Sequence, residues 1–98
     1  MTTKENILKL LRNKKAELSS YGVVQVGLFG SYLRNEQTAS SDIDLLLDFD
    51  PAKETFDNFM AACDIVENLF GSYRVEVVTR NGLSKHIGPH ILSNIVYV

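Results

Sequence analysis

The chain reads as an α/β or α+β domain with helices packed on a small sheet. Three observations predict this. Short segments rich in leucine and β-branched residues fall at 23–29, 42–49 and 73–79. Apolar residues recur at helical spacing at the start and again from Thr55. The length, 98 residues with 45% hydrophobic and 22% charged, suits a single globular domain over 1–98 and argues against disorder. A chain this short buries only about two-thirds of its unfolded surface, so the core is thin. It has no length to spare for a lid or a second substrate domain.

The elements follow in order. Thr2 and Glu5 are spaced as a capping box, and Ile7, Leu8, Leu11 and Leu18 mark the buried stripe of a first helix ending near Ser19 to Gly22. VVQVGLF (23–29) is a β-branched, apolar strand. Gly30-Ser31 follows, with Ser31 placed as N-cap of a short helix from Tyr32 to Asn35. Residues 36–41 are a polar loop. DIDLLLDF (42–49) is a strand whose Leu45, Leu46 and Leu47 suit a position covered on both faces, and Pro51 ends it. Phe56, Phe59, Met60, Cys63, Val66 and Phe70 form a helical core stripe, stopped at Gly71, with Cys63 read as packing. YRVEVVT (73–79) is a third strand with Glu76 at its centre. Pro89 permits a short helix, and Ile95 to Val98 form a terminal strand or an apolar tail.

Ten Lys and Arg against twelve Asp and Glu leave a net charge of −2, without the cationic surplus that direct nucleic-acid binding needs. Arg12, Lys14 and Lys15 read as a solvated helix face. No apolar run approaches the roughly 20 residues of a membrane span, and the first residues lack a signal-peptide core. The single Cys63 has neither a disulfide nor a metal-spaced partner, so a reducing cytoplasm is expected.

Two features carry chemistry. Gly30-Ser31 joins a strand to a helix start, where free backbone N–H groups suit a phosphate; alone it reads better as a plain N-cap. Asp42-Ile43-Asp44 opens an otherwise apolar strand. Side chains two apart on a strand share a face, with Cα atoms about 6.5 Å apart, so the two carboxylates converge. They repel unless a cation neutralises them, and Mg2+ is the natural match. If the third strand lies beside the second, Glu76 joins them. Three acids and a phosphate cradle are the parts of two-metal phosphoryl or nucleotidyl transfer.

Gly30-Ser31, ten intervening residues, then Asp42-Ile43-Asp44-Leu45 resembles the signature of the polymerase-β-like nucleotidyltransferase superfamily, and LFGSYLRNEQTASSDIDLLLDF resembles its minimal nucleotidyltransferase (MNT) family. The resemblance spans nearly the whole chain. It implies a small mixed β-sheet with flanking helices, the nucleotidyltransferase fold. It implies that Asp42 and Asp44, with Glu76 where the family more often has Asp, hold two Mg2+ ions. Gly30, Ser31 and Arg34 would bind the phosphates of ATP, and Ser41 would brace the turn at Asp42. Asn35 replaces a usual glycine and tolerates the left-handed conformation. His86 and His90, with Pro89 between them, read as surface or packing residues, as do Tyr32 and Tyr97.

The resemblance makes the protein an enzyme that moves AMP from ATP to a hydroxyl, with a HEPN-domain ribonuclease toxin as partner. The alternative is an antitoxin that blocks its partner sterically, which the longer Glu76 favours. A small-molecule adenylyltransferase ranks third, because such enzymes carry a further domain.

Overall fold

The computed structural model describes residues 2–98 and places four strands in one sheet of order β3-β2-β1-β4. The first helix, α1, spans Lys4–Ser19 and leads into β1 (Val23–Phe29) and β2 (Ile43–Phe49). A 3-10 turn at Pro51–Lys53 precedes α2 (Phe56–Phe70), β3 (Val75–Thr79), α3 (Gly88–Ser93) and β4 (Val96–Tyr97). β1 pairs antiparallel with both β2 and β4, whereas β2 and β3 run parallel, joined through α2. The sheet is mixed, as expected.

Local chemistry sets the helix starts. Thr55 caps α2, its hydroxyl accepting from the Asn58 N–H at 3.2 Å. Thr3, not Thr2, caps α1 in the same way, through the Asn6 N–H. Thr2 instead donates its N–H to the Tyr73 hydroxyl at 2.7 Å. Only Thr2 has the capping-box spacing to Glu5, yet its N–H is taken by Tyr73 and the helix starts one residue later.

Ile7, Leu11 and Leu18 of α1 and Ala62, Val66 and Phe70 of α2 bury against Val26, Leu28, Leu45 and Leu47 on one face of the sheet. Leu46 points the other way and is nonetheless fully buried. Its antiparallel neighbour is Gly27, and Ile95 lies over Gly27: a Cβ there would come within 2.7 Å of Ile95 Cγ1 and 3.1 Å of Tyr97 Cδ1. The absent side chain is what lets the C-terminal segment dock and cover Leu46, so the leucine run is covered on both faces. Gly27→Val is therefore expected to lift Ile95 and β4 off β1 and cost about 1–3 kcal/mol, read as a lower urea midpoint.

Two further expectations fail. Residues 31–35 form a turn rather than a helix: the Arg34 N–H reaches Gly30 O at 3.2 Å and the Glu36 N–H returns to Ser31 O at 2.9 Å, closing the segment after one loop. Asn35 at φ 58° reverses the chain there, in the left-handed conformation that asparagine tolerates. Phe56 and Met60 are 76% and 42% exposed rather than core. β3 is an edge strand, so the first turn of α2 borders an open groove beside Val77 and Thr79 instead of a further strand. Cys63 and Tyr32 are buried, as packing residues should be. No helix among the described residues is long and apolar enough to cross a membrane.

Candidate active site

The carboxylates gather at the end of the sheet where β1 finishes and β2 and β3 begin. Asp44 is the second residue of β2 and lies in parallel register with Glu76 of β3. Register partners on adjacent strands project to one face, which sets the two carboxyl groups side by side. Asp42 lies one side-chain repeat before Asp44, just ahead of β2.

Asp44 is half-buried, and its pKa rises from 3.8 to about 6. Burial is the main cause, followed by the charges of Glu76 and Asp42, while the Arg34 guanidinium pulls the other way.

Gly30 follows Phe29, the last residue of β1 and the register partner of Asp44, and has φ +79°. A Cβ on it would overlap the Asp44 carboxylate, 2.9 Å from its Cγ. Only glycine permits both the backbone angle and the approach. The hydrogen bonds of the following turn use the N–H groups of Arg34, Asn35 and Glu36, and none draws on those of Ser31, Tyr32 or Leu33. Arg34 is exposed, with Nε 2.6 Å from Glu36 Oε1. Ser41 accepts the Thr38 N–H at 2.9 Å, tying off the loop that delivers Asp42.

Sequence reasoning passed over one neighbour, Arg74. Its Nε lies 2.9 Å from Asp42 Oδ1, and its Nη2 donates to Ser40 O at 3.0 Å. The approach to Asp42 is a charge contact whose angle misses hydrogen-bond geometry, so Oδ1 is enclosed yet has no hydrogen bond. The only signal was a cation two residues before Glu76, and its meaning depends on the β2–β3 register. A cavity of about 400 Å³ lined by Tyr32, Ala39, Ser40, Ser41, Ser72, Tyr73 and Arg74 opens beside this loop. A larger one, about 610 Å³, lies between α1 and α2, away from the carboxylates.

The donor set fits a hard cation in part. Asp42 Oδ1 is an enclosed oxygen without a hydrogen bond, and the charge of Glu76 beside Asp44 creates a repulsion that a cation would relieve. No three His, Cys, Asp or Glu side chains among the described residues form a ready cage. That matches Mg2+, which takes one or two carboxylates and completes its shell with water and substrate phosphate. His86 and His90 are exposed and stand apart from this end of the sheet in sequence and element.

The chain is similar to known proteins along most of its length. The family model of the nucleotidyltransferase domain matches residues 8–98. The protein adenylyltransferase MntA of Thermococcus cleftensis is 36% identical over 99 residues, covering 100% of this chain and 98% of that protein. A solved structure assigned as a minimal nucleotidyltransferase superposes with a TM-score of 0.71 at 30% identity, covering 91% of this chain and 93% of the other. A toxin–antitoxin structure with AMP-PNP shares the fold, with a TM-score of 0.62 at 19% identity over 98% of this chain and 72% of the other. With the motif, the mixed sheet and end-to-end likeness in agreement, the chain belongs to the nucleotidyltransferase-domain family, among its minimal members, and is a nucleotidyltransferase.

Proposed function

We propose that residues 1–98 act as one minimal nucleotidyltransferase domain that moves AMP from ATP to a hydroxyl of a protein partner, a HEPN-type ribonuclease toxin, in the cytoplasm. One observation carries the reading: Asp44 and Glu76 meet in register across parallel strands, with Asp42 one repeat away and Gly30 holding the phosphate side open. The name of the Thermococcus cleftensis relative supports a protein as acceptor. The fold shared with a toxin–antitoxin assembly is compatible with a toxin as partner.

In this reading Gly30 and Ser31 receive the β- and γ-phosphates on backbone N–H groups, and Arg34 adds its charge from the turn. Asp42, Asp44 and Glu76 hold two Mg2+ ions, which when bound stabilise charge on the phosphate oxygens. The acceptor oxygen bonds to the α-phosphorus as the bond to pyrophosphate breaks. Glu76, an exposed carboxylate beside Asp44, takes the hydroxyl proton. Ser41 keeps the Asp42 loop closed through its bond to Thr38. The acceptor must be held about 3–3.5 Å from phosphorus, and a small sheet has little surface with which to enclose it, so the partner supplies the positioning.

The purified protein, incubated with the product of its adjacent reading frame, ATP and Mg2+, is expected to add AMP units to that partner by intact mass. The gain should vanish in the Asp42→Asn, Asp44→Asn double variant. A stable complex with no mass gain establishes the steric antitoxin instead, a reading favoured by the engagement of Asp42 by Arg74. No complex at all defeats both.

A further inference from the structure

Arg74 touches the site, and the proposed reaction gives it no part. Its backbone is pinned, since the Ile43 N–H donates to Arg74 O at 2.9 Å, directly between Asp42 and Asp44. Its side chain is 74% exposed, whereas the Asp42 side chain it faces is only 35% exposed. One guanidinium nitrogen sits on Asp42 Oδ1 and another on Ser40 O, spanning the loop that Ser41 closes.

From this geometry we infer that Arg74 is a tethered counter-ion for Asp42, a positioning residue that keeps the carboxylate in place while no metal is bound and competes with the metal for it. The inference rests on the proposed role of Asp42 as a metal ligand. A guanidinium does not lose its proton at any pH a protein survives, so the contact yields to a competing cation rather than to deprotonation of Arg74. Because it stands in solvent, it can swing away without leaving a buried charge behind. The exposed pair is weak, and the missing hydrogen bond at Oδ1 weakens it further, so the competition is modest and reversible. Arg80, at the other end of β3, lies 4.0 Å from Asp48 and has no path to Asp42.

The test is a calorimetric titration of the full-length protein with Mn2+ alone, without nucleotide. Arg74→Ala is expected to bind Mn2+ roughly three- to fivefold more tightly than the wild type, the scale of an exposed pair. Arg74→Lys should fall between them, and Arg80→Ala should match the wild type. In an Asp42→Asn background, Arg74→Ala should change nothing. Unchanged or weaker Mn2+ binding by Arg74→Ala overturns the inference, as does a gain that persists without Asp42, which would be general electrostatics. If the wild type binds Mn2+ in an Asp44-dependent manner and Arg74→Ala does not differ, only the inference falls. If neither protein binds Mn2+, the metal site of the proposed function falls with it.

Discussion

Asp44→Asn is expected to abolish Mg2+-dependent transfer from ATP and, at the same time, to make the protein harder to unfold. The loss should be about a thousandfold or more, because a site that withdraws a metal-binding carboxylate gives up several kcal/mol of charge stabilisation. The gain in stability depends on pH. The pKa of Asp44 in the folded protein, about 6, stands above its ordinary 3.8, so the native state holds this proton more tightly than the unfolded chain. That stabilisation is complete below about pH 4, declines as pH rises through 6, and is gone at neutrality. Asparagine cannot ionise, so at pH 8 the variant escapes the repulsion from Glu76 and Asp42. On a half-exposed side chain, screening leaves on the order of 1 kcal/mol. Urea midpoints of both proteins at pH 8 and pH 4 check this: the variant leads at the higher pH, and the lead shrinks at the lower. A variant that is inactive but less stable at pH 8 would show that Asp44 holds the fold together instead.

The second large effect lies across the sheet from it. Gly30→Ala should destabilise the protein by about 2 kcal/mol or more and bring nucleotide binding close to zero. Two costs combine. A φ of +79° is costly for any residue with a Cβ, by about 1–2 kcal/mol. The new methyl would also press on the Asp44 carboxyl group, which has Glu76 as its neighbour on the β3 side. A double-mutant cycle with Asp44→Ala separates them. Removing the carboxyl group should recover the contact part and leave the backbone part, so the two substitutions together should cost less than their sum. Strict additivity would place the whole effect in the backbone.

Much of this was legible in the chain itself, because its strongest signals are local. The run VVQVGLF, the leucines at 45–47 and the Thr55-to-Phe70 periodicity each define an element with almost no help from elsewhere, and the observed bounds follow them. Asp42 and Asp44 share a side by strand geometry alone. Glu76 could be placed only on condition that β3 neighbours β2, a matter of topology that spacing does not contain. The same condition hid Arg74, whose nearest charge is far away in sequence. Ser31 misled for the opposite reason: a good cap residue was present, but Asn35 turned the chain before a helix could propagate. Phe56 and Met60 misled because periodicity identifies an apolar face without showing where the sheet beneath it ends. Gly27 gave no signal, since its significance comes from Ile95 arriving from the far end of the chain.

Joining β2 to β3 through a whole helix also decides when the site exists during folding. β1 and β2 share a short separation and a common core, so they can associate early; β3 must wait for α2 to form and cross over. The acid pair is absent until β3 docks, and the repulsion between its members weighs on no earlier step. The order reverses on opening. β3 is an edge held on one side only, so its release dismantles the acid pair while the β1–β2 core and its hydrogen bonds stay intact. Anything bound across Asp44 and Glu76 therefore clasps an edge strand to a central one, and nucleotide and edge strand protect each other from exchange with solvent.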